Sequence, residues 1–238
     1  VVDEQKYMSE DQIDPNHQTC HISGTEQRRL LKEGKDIPEW FSFPEVVAEL
    51  KQVYKPNYKK GFCIYLVGLS GSGKSVLSSK LNDVLSGLES TRKITLLDGD
   101  VIRQHLSSEL GFSKKDRSTN VRRIGYVASE VVKHGGICIC SNIAPYDEDR
   151  LFNRKLISEY GGYFEVVVDT PLDICEERDC KGLYKLAREG KIKEFTGISD
   201  PFENSTHSDL TLLNNQPSDI NKNINLIIEK LRKQFYLK

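Results

Sequence analysis

Residues 68–75 read Gly68-Leu69-Ser70-Gly71-Ser72-Gly73-Lys74-Ser75, the spacing G-x-x-x-x-G-K-[ST]. Each residue type has a chemical use. Glycines let successive backbone N–H groups wrap an anion at a helix N-terminus, where the helix dipole also favours negative charge. Lys74 would reach the β- and γ-phosphates of a nucleoside triphosphate, and the Ser75 hydroxyl would ligate Mg²⁺. The loop leaves an apolar run and enters a segment carrying Val76, Leu77 and Leu81, the strand-then-helix context that such a loop needs. The alternative is a merely structural glycine turn.

A second chemical cluster follows at Asp98-Gly99-Asp100, which closes the apolar run 94–97. Parallel strands in open α/β sheets present their carboxyl ends at the ligand crevice. If this strand lies beside the first, its carboxylates point towards the γ-phosphate, where one could orient an acceptor hydroxyl, take its proton or hold the metal's water shell. The same residues could instead cap a helix. Beyond them come Arg103, Phe112, Arg117, Asn120, Arg122 and Arg123. Arginine can clamp phosphate or sulfate bidentately, and phenylalanine offers a flat face to a purine. For any single arginine a solvated helix face is the competing reading.

These residues need a scaffold. Apolar runs at 62–67, 94–97, 137–141, 163–168 and 210–213 read as strands. Helical patterns lie near 74–87, 101–110, 118–134, 147–159, 171–178 and 218–235. The alternation implies an α/β fold, a mainly parallel five-stranded sheet with helices on both faces. Residues 181–208 carry mixed charge and several glycines and read as a mobile lid. Before the sheet, 1–19 reads as irregular, Thr25 as the cap of a short helix to Gly34, Pro44 as the start of another through Leu50, and 51–60 as a linker.

With 34 Lys+Arg against 35 Asp+Glu, no net field recruits nucleic acid or an anionic membrane, so an anion site must be a local cluster. The longest apolar stretch, 62–69, is too short to span a bilayer. The six cysteines form no CxxC pair. Cys63, Cys138 and Cys140 lie in strand-like runs and read as buried thiols, which suits a reducing cytoplasmic or plastid-like compartment. An opening Val1 suggests a fragment or processed product.

The order of these pieces resembles adenylyl-sulfate kinase across nearly all of 61–235. The carrying segments are G-L-S-G-S-G-K-S at 68–75, L-D-G-D at 97–100, G-F-S-K-K-D-R at 111–117 and N-V-R-R-I at 120–124. I-A-P-Y at 143–146, K-G-L-Y-K at 181–185 and K-E-F-T-G-I at 193–198 follow. The resemblance implies a P-loop NTPase-type three-layer fold in a domain spanning 61–238. It also implies transfer of the ATP γ-phosphoryl group to the 3′-hydroxyl of adenylyl sulfate, with Mg²⁺. By position it makes Asp100 the base or metal-side carboxylate, supported by Asp98. Arg103, Arg117 and Asn120 would hold the sulfate-bearing nucleotide with backbone around Ile143 and Ala144. Phe112 and Phe195 would sandwich its adenine, and Lys181 would anchor the lid on it.

Two positions depart from that family. Val101 follows the acidic turn where asparagine is common, and Ala144 stands where many members have serine. Ala144 cannot carry a phosphoserine, which leaves direct in-line transfer. I-S-G-T-E at 22–26, R-R-L-L-K-E-G at 28–34 and I-P-E-W-F-S-F-P-E-V at 37–46 resemble the end of an ATP sulfurylase. That enzyme's His-x-Gly-His type motif is missing here, so residues 1–50 are expected to be an inactive docking or linking tail. The resemblance implies a fused or associated sulfurylase and a homo-oligomer. A different small-metabolite kinase, or a non-catalytic nucleotide-binding regulatory domain, are the competing functions.

Overall fold

The computed structural model describes residues 1–2, 8–217 and 219–238. The start of the polar 1–19 segment and the first residue of the expected last helix thus lie partly outside the described residues. The chain divides into two units, Val1–Pro56 and Asn57–Lys238.

In the first unit, α1 (Gly24–Glu33) is capped by Ser23, not Thr25: the Ser23 side chain accepts from the Glu26 amide. The reason is register, because the residue that caps stands one place before the first helical one. Gly34 closes the helix in a left-handed conformation, φ 74°, its N–H bonding back to Leu30 and Leu31 carbonyls. Helix α2 (Pro44–Val53) starts at its proline as expected but runs three residues into the stretch read as linker.

The second unit is a five-stranded sheet of β1 (Phe62–Val67), β2 (Ile94–Asp98), β3 (Ile137–Ser141), β4 (Gly162–Asp169) and β5 (Leu210–Leu213). Their order is β2-β3-β1-β4-β5 and every pairing is parallel. Central β1 is buried throughout, and its period-two alternation feeds two cores. Phe62, Ile64 and Leu66 pack with Leu77, Leu81 and Leu85 of α3 (Lys74–Leu88) and with Ile224, Ile227 and Leu231 of α9 (Asp219–Lys233). Cys63, Tyr65 and Val67 face the other way, onto Val121, Ile124, Ala128 and Val132 of α5 (Lys114–Lys133) and Ile157 of α6 (Asp147–Ser158). Each of these fully buried aliphatic side chains is worth about 1.5–3 kcal/mol. That burial holds the strand carrying the glycine loop in place. Cys63, Cys138 and Cys140 sit in the second core with free thiols.

Several boundaries differ from the sequence reading. Helix α4 (Gly99–His105) begins and ends early, because Asp98 caps it. Helix α5 begins at Lys114, since the Ser113 side chain accepts from the Asp116 amide. After α7 (Leu172–Arg178), the segment 181–208, read as a mobile lid, contains α8 (Leu183–Arg188). The Asp179 carboxylate caps α8 by accepting from the Tyr184 and Lys185 amides, each at 3.0 Å. No helix among the described residues is long and apolar enough to cross a membrane.

Candidate active site

Because all five strands are parallel, their carboxyl ends share one edge, and the residues that follow them are Gly68, Gly99, Asn142, Thr170 and Asn214. The glycine loop sits at the centre of that edge. Gly71 and Gly73 have φ of 72° and 91°, and a Cβ on Gly73 would stand 2.3 Å from Asn214 Nδ2. Both positions therefore need glycine.

The loop's carbonyls are tied outward. Lys74 Nζ donates to Leu69 O at 2.6 Å, the Tyr184 hydroxyl to Ser70 O at 2.8 Å and Arg178 to Gly71 O at 3.2 Å. Ser72 O accepts from Thr170 at 3.1 Å and from Asn214 at 2.7 Å. With carbonyls committed to neighbouring elements, the loop presents its amide side to an anion. Thr170, Arg178, Tyr184 and Asn214 were missed in the sequence. Two of them carried a usable signal, each being the polar residue immediately after an apolar strand.

Lys74 is buried, and burial lowers its pKa to about 8. The Ser75 hydroxyl donates to Asp98 Oδ2 at 2.9 Å, joining the phosphate loop to the acidic turn. Asp98 Oδ1 accepts from the Asp100 amide at 3.0 Å. Asp98 thus does what the capping reading required and also meets Ser75. Asp100 is the freer carboxylate, with its side chain 61% exposed and ion-paired to Lys181. Lys181 was expected to anchor the lid on substrate; here it anchors the lid on the acidic turn.

Arg103 donates to Gly111 O at 2.9 Å and lies over the Phe112 ring, 4.5 Å from its centroid. Its pKa is lowered by burial first and by the nearby Arg117 second, so this end of the edge concentrates positive charge. Arg117 holds the Phe112 carbonyl at 2.7 Å and also donates to the Glu194 carbonyl and the Thr196 hydroxyl, which clasps the lid to α5. Asn120 is buried on the same helix, with Oδ1 lacking a hydrogen-bond partner among the described residues. Arg122 and Arg123 leave this group. Arg122 pairs with Asp149 at 2.7 Å and Arg123 with Glu109 at 2.6 Å.

The two phenylalanines are not brought into a ready slot. Phe195 is 8% exposed and its ring contact is with Tyr184, 5.0 Å away and edge-on, whereas Phe112 is 60% exposed. Phe195 gains more by packing into the small cluster with Leu69, Leu172 and Cys175 than by standing in water. Ile143 O accepts from the Gly68 amide at 3.4 Å, which lays the 143–145 turn against the loop. Ala144 follows it with φ 45°.

A family model described as Adenylylsulphate kinase matches residues 60–213, and one described as ATP-sulfurylase matches residues 2–53. A hexameric APS kinase from Thiobacillus denitrificans is 37% identical, with TM-score 0.78, covering 100% of this chain and 42% of that one. An APS kinase from Mycobacterium tuberculosis in complex with AMPPNP and APS is 36% identical with TM-score 0.66, covering 73% of this chain and 98% of that one. A sulfate adenylyltransferase of Aspergillus fumigatus is 45% identical over 211 residues, 88% of this chain. The chain spans 37% of the length of that relative and 36% of its Aspergillus oryzae counterpart.

Proposed function

The chain belongs to the adenylylsulphate kinase family, and from that premise we propose that it transfers the γ-phosphoryl group of ATP to the 3′-hydroxyl of adenylyl sulfate. The observation that carries the reading is the junction of Ser75 with Asp98 and of Lys181 with Asp100. It puts a phosphate loop, a carboxylate pair and a lid cation at one point of the strand edge. In the transfer the acceptor oxygen forms a bond to Pγ, the bond from Pγ to the β–γ bridging oxygen breaks, and ADP leaves.

The loop amides and Lys74 hold the β- and γ-phosphates and offset the charge that gathers on the oxygens. Asp98 has both oxygens engaged, so it orients Ser75 and the turn. Asp100, held by a surface ion pair that water readily exchanges, is the base that takes the hydroxyl proton. Ser75 Oγ and Asp98 Oδ2 form a hard oxygen pair suited to Mg²⁺, directly or through its water. Held there, the ion would supply positive charge to offset that on the phosphate oxygens. Arg103, Arg117 and Asn120 supply donors for the acceptor's anionic groups. Ala144 offers no hydroxyl, so transfer is direct.

The activity is tested by ADP release from the purified chain with adenylyl sulfate, with AMP and without acceptor. ADP release that depends on adenylyl sulfate, at least tenfold above AMP, is expected. Equal rates in all three would leave an ATPase or a binding module instead. The match at residues 2–53 supports a sulfurylase as partner, and the hexameric relative supports assembly of several copies.

The purine slot is part of this proposal and needs a movement. Arg103 must yield one face of Phe112 or share it, and Phe195 must turn from Tyr184 as the lid settles on the acceptor. Stacking is worth roughly 1–3 kcal/mol per base. Phe112→Ala, an exposed position where truncation costs little stability, should weaken adenylyl sulfate about tenfold or more, and Phe195→Ala similarly. ATP affinity should hold in both. Separate titrations of the two ligands check this, and equal losses would point to a folding defect.

A further inference from the structure

Among the described residues three arginines are buried, and Arg150 is the most deeply so. Arg150, on the first full turn of α6, is 1% exposed. Its Nη1 donates to Ala144 O at 2.7 Å, and Nη2 donates to Glu203 O at 2.7 Å and to Asp147 Oδ1 at 3.0 Å. Nε lies 3.7 Å from the buried Glu165 carboxylate, and the guanidinium packs over the Phe202 ring. A buried charge is tolerated only when its donors are used. Here the Nη donors are spent on two segments far apart in the chain, while Nε faces the Glu165 carboxylate beyond hydrogen-bond distance.

The first segment is the turn beside the glycine loop. Ala144 adopts φ 45°, a region that residues other than glycine seldom enter. Its carbonyl is held by Arg150 and its neighbour Ile143 by the Gly68 amide. The second segment is the returning end of the lid. The Glu203 amide donates to Pro145 O at 2.8 Å, the Glu203 carboxylate accepts from the Asp147 amide at 2.7 Å, and Thr206 donates to Asp147 Oδ2 at 2.7 Å. Arg150 is the side chain that bonds both.

We propose that Arg150 is a positioning residue for the acceptor, clamping the strained 143–145 turn to the base of the lid so that both reach the acceptor in one fixed geometry. This rests on the acceptor side lying where the proposed function puts it. It assigns ATP no direct share, because no bond from Arg150 reaches the loop. Lysine at this position keeps the charge and loses the planar fork, so it can hold one carbonyl where arginine holds two.

Arg150→Lys should therefore fold, keep ATP affinity within about twofold, and lose at least tenfold in kcat/KM for adenylyl sulfate. Hydrogen exchange should speed up at 143–147 and 202–206 together, a readout independent of the acceptor's identity. Adding Ala144→Gly to Arg150→Lys should recover part of the loss, since glycine takes positive φ without strain. If Arg150→Lys does not fold, Arg150→Met with Glu165→Gln removes the buried charge pair and takes the same measurements. Losses shared equally by ATP and acceptor, faster exchange in only one segment, or no recovery with glycine would overturn the proposal. Absence of acceptor-dependent ADP release in the unmodified protein would instead overturn the functional reading, leaving the exchange result to stand by itself.

Discussion

Replacing Lys74 with alanine is expected to lower phosphoryl transfer by about 10²–10³. Lys74 is the only residue of the loop that brings a full positive charge, and it is buried, where a charge acts through little solvent. Removing one such preorganised group costs roughly 3–4 kcal/mol of barrier. Its Nζ donates to Leu69 O and Ser72 Oγ, acceptors that ATP binding would exchange for phosphate oxygens. The same burial gives a pH signature. Free Lys74 loses its proton as pH rises through about 8, while bound phosphate favours the charged form and raises the pKa. ATP binding above pH 8 must then take up a proton, and affinity should fall by up to about tenfold per pH unit until the bound-state pKa is passed. Calorimetric titration at pH 7, 8 and 9 in buffers of different ionisation enthalpy measures that uptake. Lys74→Ala should abolish both the slope and the proton uptake. A slope that persists in the variant would assign the titration to another group.

What could be read from the sequence follows the chemistry that fixes residue type and spacing together. A phosphate cradle needs glycines, a lysine and a hydroxyl within eight residues, so 68–75 announced itself. The sheet was legible because β1, buried on both faces, leaves a run with no polar residue, and α3 answers with Leu77, Leu81 and Leu85 at helical spacing. The supports of the loop had no such local pattern. Asn214 reaches Ser72 across 142 residues, and Arg178 looks like any surface arginine until α7 is folded beside Gly71. Arg150 was invisible for the same reason, since its partners lie at 144, 147, 165 and 203.

The lid held order that the sequence did not announce. Residues 181–208 were read as a mobile lid with little periodicity, yet Asp179, just before them, uses its charge to cap α8, and Tyr184 carries the burial. Phe195, expected to reach the acceptor from the lid, packs its ring inward, because an apolar ring in water costs more than one against Tyr184. Sequence names the groups that a ligand needs. It does not reveal which of them the protein itself occupies.

Asp100→Asn separates those two uses of a side chain. The substitution keeps shape and removes the negative charge that holds Lys181 and that would receive the acceptor proton. General-base catalysis contributes about 10²–10⁴ in rate, so kcat should fall by at least two powers of ten. ATP affinity should change less than about threefold, because the loop amides and Lys74 remain. Freeing Lys181 is a side effect that must be measured on its own. Lys181→Met breaks the same ion pair from the other end and leaves the carboxylate in place. The pair is exposed on both sides, so its own loss contributes little to stability. If Asp100 is the base, Lys181→Met loses much less in kcat than Asp100→Asn. If the two variants fall equally, the ion pair itself is the working unit and the carboxylate serves to place the lid. An unchanged kcat in Asp100→Asn would move the proton to Asp98, and Asp98→Asn would then lose both kcat and the Ser75 contact that joins the loop to the turn.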